Sequence, residues 1–222
     1  MNFRRGIIAS SGGDSATLPA GFTAYYRGGT LVDSLGNKGD LVNNGGTLTS
    51  GVGGKTNGAY QFSANNMTIP QLFTSLTSFT IVIWFKADTT TGSSQKVLGY
   101  SDDDIFAPVI VRNGSVTNKI SVYTGNGTNF WVSSSTDNTI TDWNCVLFEA
   151  TESGTQSLYV NNVFKETTTI GTFAEVVTVG RKLASSRSNS EYFYGAIADF
   201  GFAVDKIFTS EERTQIYQYG QT

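Results

Sequence analysis

Short segments rich in valine, isoleucine, threonine and aromatic residues recur along this chain, separated by pairs such as Asn113-Gly114, Asn126-Gly127, Ser153-Gly154 and Asn161-Asn162. Asn and Gly tolerate the positive φ of a tight turn, so each pair marks a place where the chain can reverse between neighbouring strands. The clearest segment is Phe79-Thr80-Ile81-Val82-Ile83-Trp84-Phe85, where Phe79, Ile81, Ile83 and Phe85 share one face and Thr80, Val82, Trp84 and Lys86 the other. A strand apolar on both faces is a central strand covered on both sides, which makes Trp84 a core residue. Further strands are expected at 22–26, 59–62, 66–69, 96–100, 107–112, 119–123, 129–133, 144–150, 157–160, 176–179 and 195–204, with a loop and short edge strands between Gly28 and Asn57. Strands of this length and spacing pair antiparallel into a sandwich or barrel. One segment reads as helix, from Phe208 to Tyr217: Thr209 and Glu212 form a capping box, Glu211 and Glu212 suit the positive end of the helix dipole, and Gly220 is expected to stop it.

Composition supports a β fold with a substantial core. Of 222 residues, 39% are hydrophobic, with 15 Phe and 10 Tyr, while only 15% are charged and 25 are Gly. That apolar area suffices to fill the space between two sheets, and a sandwich of this length forms one domain. Residues 1–20 read as an N-terminal extension, with Phe3, Arg4, Arg5, Ile7 and Ile8 as an attachment arm followed by a Ser/Gly-rich link, and residues 21–222 as the domain. The net charge of −3 supplies no basic stripe for phosphates, so nucleic acid is set aside as a partner. The apolar run behind Arg4-Arg5 is too short for a signal-peptide core and no stretch is long enough to span a membrane, so synthesis in a cytoplasm without a cleaved leader is expected. The single cysteine, Cys145, lies in a strand-like run and reads as a buried, inert thiol.

Several motifs occur in a fixed order. They begin with Ala24-Tyr25-Tyr26, Asp33-Ser34-Leu35-Gly36-Asn37 and Gly58-Ala59-Tyr60-Gln61-Phe62, and continue with the strand from Ser78 to Phe85, Trp143-Asn144 and Leu158-Tyr159-Val160-Asn161-Asn162. Val179-Gly180, Gly195-Ala196-Ile197-Ala198-Asp199 and Phe208-Thr209-Ser210-Glu211-Glu212 complete the series. In that order they resemble the laminin-G-like jelly-roll domains of the concanavalin A-like lectin and glucanase superfamily. The resemblance covers roughly residues 21–220; Asn144 stands where the family usually has His, and Asn161-Asn162 where its hairpin has Asp-Gly. It implies an all-β, antiparallel two-sheet jelly-roll sandwich with one short C-terminal helix.

Hydrolases of this architecture place two carboxylates on one strand face, about 5 to 5.5 Å apart when they retain configuration. Glu149 and Glu152 are the nearby pair, but their spacing puts them on opposite faces of a continuous strand. Histidine is absent, which removes Ser-His and Cys-His activation. No enzyme is expected, and the alternatives are a glycoside hydrolase or lyase of the same fold and a purely architectural subunit without ligand. Sugar binding needs an aromatic platform beside polar groups, and the candidates are Tyr100 next to Asp102, Asp103 and Asp104, then Tyr123 and Trp131, then Tyr192 and Tyr194. The resemblance implies no required cofactor, with calcium as the one ion to consider and Asp199 and Asp33 as its candidate ligands. It further resembles bacteriophage virion proteins of this lectin family: head fibres, capsid decorations and tail fibres. Such a protein would sit on the virion surface as a homo-oligomer, contact other virion proteins through its extension and offer its loops to host glycans, with no membrane partner.

Overall fold

The computed structural model describes residues 16–72, 78–88, 95–99, 109–113, 119–125, 129–133, 139–169, 181–185 and 191–222. In chain order the strands are β1 (Ala24–Tyr26), β2 (Val42–Asn44), β3 (Thr47–Thr49), β4 (Ala59–Ser63), β5 (Asn66–Thr68), β6 (Phe79–Ala87), β7 (Gln95–Gly99) and β8 (Val109–Asn113). They continue with β9 (Lys119–Gly125), β10 (Asn129–Ser133), β11 (Asn144–Ala150), β12 (Thr155–Val160), β13 (Val163–Thr169), β14 (Lys182–Leu183) and β15 (Tyr194–Val204), and the helix α1 (Ser210–Gln221) closes the chain. The larger sheet runs β13-β12-β11-β6-β15-β4-β3 with β1 also on β15; the smaller runs β10-β9-β8-β7-β14-β5-β2. All the described pairings are antiparallel, giving the expected jelly-roll sandwich. No helix among the described residues is long and apolar enough to cross a membrane.

The alternation read from β6 holds on both faces. Phe79, Ile81, Ile83 and Phe85 join Phe148 and Phe202 of the larger sheet against Met67, Leu98, Ile120, Val122 and Leu183 of the smaller. Val82 and Trp84 point the other way, into a second apolar layer with Phe22, Tyr25, Cys145, Leu147, Phe208 and Ile216. The helix therefore roofs the outer face of the larger sheet, and each large side chain buried there contributes about 1.5–3 kcal/mol. Burial raises the Cys145 thiol far above its ordinary range, which agrees with the inert thiol expected from its flanks. The roof is capped as the sequence predicts, with Glu212 N–H donating to Thr209 Oγ1 and Thr209 N–H to Glu212 Oε2.

Two sequence expectations change. The helix continues through Gly220 to Gln221, because Gly220 is needed for contact with Trp84 and not as a stop. β13 was not anticipated: Val163–Thr169 pairs with β12 through the Asn161-Asn162 turn, whose φ values of 54° and 62° are those of a two-residue hairpin. Leu18, within the segment read as the extension, packs on the second apolar layer. Strand 176–179 falls outside the described residues, as do Phe3, Arg4, Arg5, Ile7 and Ile8.

Candidate binding site on the smaller sheet

Residues directly opposite each other in an antiparallel ladder lie on the same side of a sheet. On the smaller sheet one row passes from Trp131 to Tyr123, Val109, Gly99, Lys182 and Thr68, and ends at Val42. The interleaved row carries Met67, Leu183 and Leu98, all buried in the core between the sheets. The described part of the row, Lys182, Thr68 and Val42, therefore faces away from that core, and its end at Val42 is 56% exposed. Two positions expected from sequence to offer a sugar platform, 123 and 131, are thus neighbours in a single row.

At the other end of that row the polar side chains are locked together. Asn44 Nδ2 donates to Asn66 Oδ1 at 2.9 Å and to Thr68 Oγ1 at 3.1 Å, and Lys182 Nζ donates to the same two oxygens at 3.3 and 3.5 Å. Beyond it, Lys96 holds Glu191 at 3.4 Å. Hydrogen bonds among neighbours fix these donors before any ligand arrives, which lowers the ordering cost of binding. Sequence reasoning missed Asn44, Asn66, Thr68 and Lys182. The available signal was the polar-apolar-polar alternation of Asn66-Met67-Thr68, which marks an outward face around a core methionine.

The remaining aromatic candidates sit elsewhere. Tyr192 is half-buried and bridges Ser185, on the connection between β14 and β15. Tyr194 opens β15 in the larger sheet, 40% exposed, with its N–H donating to Gln95 Oε1 at 3.2 Å. Neither belongs to the row. Tyr100, Asp102, Asp103 and Asp104 lie outside the described residues.

Both carboxylates considered for a metal have protein partners. Asp33 Oδ1 accepts from the N–H groups of Tyr25 and Leu35, and Oδ2 from those of Asn37 and Lys38, so this side chain staples the turn that follows β1. Asp199 Oδ2 accepts from the Tyr25 hydroxyl at 2.8 Å and Oδ1 from Gly28 N–H at 2.7 Å. It lies in a crevice with Arg27, Lys55, Gly220 and Thr222, where Arg27 also stacks on Tyr219 at 4.1 Å. Among the described residues no three His, Cys, Asp or Glu side chains gather as a metal site would require.

Glu149, the acid considered for hydrolysis, has a structural role. It is 4% exposed under the helix, where Oε1 accepts from Phe208 N–H at 3.0 Å and Oε2 pairs with Arg213 at 3.2 Å. Arg213 also donates to the Phe208 carbonyl at 2.6 Å and stacks on Tyr159 at 4.4 Å. Glu152 is exposed in the turn beyond β11. Asn144, where the resembled family carries His, ties the Trp143 turn to the β12–β13 hairpin: it donates to the carbonyls of Thr139 and Asp142 and accepts from Asn161 Nδ2.

No curated protein matches this sequence. Solved structures do match the fold. Domain 4 of AbnA, a GH43 extracellular arabinanase from Geobacillus stearothermophilus in complex with arabinotriose, superposes with a TM-score of 0.65 at 21% identity, covering 89% of this chain and 98% of that one. The binding domain of botulinum neurotoxin DC in complex with rat synaptotagmin II gives a TM-score of 0.70 at 11% identity, with 92% of this chain covered and 53% of that one. NanB sialidase from Streptococcus pneumoniae gives 0.58 at 22% identity, covering 71% of this chain and 27% of that one. This chain thus spans about half of the toxin domain and under a third of the sialidase. The concanavalin A-like lectin/glucanases superfamily model matches residues 61–205, well over half of the sequence, and together with the two-sheet fold this places the chain in the laminin-G-like family of that superfamily.

Proposed function

We propose that this chain is a non-catalytic adhesion and structural protein of a bacteriophage virion, a head-fibre, capsid-decoration or tail-fibre subunit, and that its smaller sheet binds host glycans. The observation that carries the binding half is the preformed set of amide, hydroxyl and ammonium groups at Asn44, Asn66, Thr68 and Lys182, which lies in strand register with the aromatic positions 123 and 131. Saccharides need that combination, an apolar ring face to stack and hydroxyls to bond. The arabinanase domain with its arabinotriose supports a saccharide as ligand class. Use of Glu149 as a helix anchor favours binding over hydrolysis.

The virion half rests on sequence: an extension with Arg4-Arg5 and Ile7-Ile8 ahead of one sandwich suits attachment to another virion protein. In this reading the protein is a symmetric homo-oligomer at the virion surface, without nucleic-acid or membrane partners. It needs no cofactor; calcium, if bound at all, is expected to be dispensable for glycan binding. Incubating the protein with labelled oligosaccharides tests the binding half, with retention and no shortened products as the expected result. Release of shorter products would replace it with a hydrolase or lyase. Deleting residues 1–15 should abolish incorporation into particles while leaving the domain folded, and unchanged incorporation would remove the arm from the account.

A further inference from the structure

Lys182 stands at the polar end of the outward row without a counter-charge. Its two Nζ bonds go to neutral oxygens, Asn66 Oδ1 and Thr68 Oγ1, and Asn44 already donates to both of these. An ammonium has three hydrogens and Thr68 keeps its own hydroxyl hydrogen, so this cluster holds surplus donors beside a full positive charge. The neighbouring lysine is different: Lys96 has Glu191 at 3.4 Å. Among the described residues no carboxylate accepts from Lys182. The chain carries a net charge of −3, so it has no general attraction for anions, and any preference at this row must come from the local charge.

We infer that the sheet takes a saccharide bearing an anionic group, a uronate or sialate carboxylate or a sulfate ester, seated at Lys182 with its sugar ring lying along the row. The inference rests on the glycan-binding reading and narrows its ligand class. The anion meets a positioned ammonium flanked by a hydroxyl donor, and a charge-assisted hydrogen bond is stronger than one to a sugar hydroxyl. A neutral sugar leaves that charge unanswered.

The test is an array of neutral, uronate-bearing, sialylated and sulfated oligosaccharides probed with the intact chain at low and high salt. Anionic sugars should be retained about tenfold better than their neutral counterparts, a difference of about 1.4 kcal/mol, and the advantage should shrink as salt screens the half-exposed pair. Lys182→Gln should bring anionic retention down to the neutral level, while Lys182→Arg keeps the preference. The pattern of uronate against sulfate spots identifies which anion is read. Equal retention of neutral and anionic sugars, or a preference unchanged by salt and by Lys182→Gln, overturns the inference and leaves glycan binding standing. Retention of no sugar at all overturns both.

Discussion

Gly220 packs so closely on Trp84 that a Cβ added to it would come within 2.1 Å of the indole Nε1. The last turn of the helix therefore lies directly on the larger sheet, and Tyr217 stacks on the same indole with centroids 5.4 Å apart. Gly220→Ala cannot be relieved by a flexible side chain, because the atoms it meets belong to a buried ring. The expected loss is about 2 kcal/mol of stability, read from urea unfolding, with a red shift of tryptophan emission as the helix end lifts from Trp84. A variant as stable as the parent would show that the contact relaxes without cost.

Arg213 reaches the sheet through a buried carboxylate, so the two sides of this ion pair should not be equivalent. Removing the cation leaves Glu149 charged and nearly buried, and Arg213→Met is expected to lose about 3 kcal/mol. Glu149→Gln keeps an acceptor for Phe208 N–H and should lose less. Thermal melts of both variants and of the double variant measure the coupling. If Arg213→Met costs no more than Glu149→Gln, the pair does not anchor the helix.

Burial pushes the Asp199 carboxyl up, against the opposing pull of Gly28 N–H, the Tyr25 hydroxyl and the Arg27 guanidinium. A carboxyl raised in this way binds its proton more tightly in the folded state. Its contribution to stability is fully present below the ordinary aspartate range and is lost as pH rises through the raised folded value. Asp199→Asn removes that component, so the parent should lose stability relative to the variant across this window. Urea unfolding of both proteins from acidic to neutral pH checks the slope; parallel curves would mean that Asp199 is not buried as described. Glu149, also raised by burial, is present in both proteins and cancels.

The legible parts of the fold were those where apolar periodicity and turn chemistry agree. β11 was expected at 144–150 and is found there, since Asn144 to Ala150 is an apolar run bounded by a Trp turn. The face assignment of β6 held because both of its faces are buried. β13 escaped notice because an edge strand needs no buried face: Val163 and Phe164 are more than half exposed and the rest is Lys, Glu and Thr, which carries no periodic signal. Gly220 was misread because a glycine near a helix end usually stops it, and only tertiary contact shows otherwise. At the candidate site, Tyr123 and Trp131 are proposed from residue type, whereas bringing Lys182, Asn44 and Thr68 together depends on strand register between segments far apart in sequence.

The central claim is that ligand meets the outward row of the smaller sheet, and amide chemical-shift mapping tests it most directly. On titration with an oligosaccharide that the protein retains, the shifts should cluster at Val42, Asn44, Thr68, Gly99, Tyr123, Trp131 and Lys182, while those around Asp199 and Glu149 stay unmoved. Shifts gathered instead at the Asp199 crevice or under the helix would contradict the account.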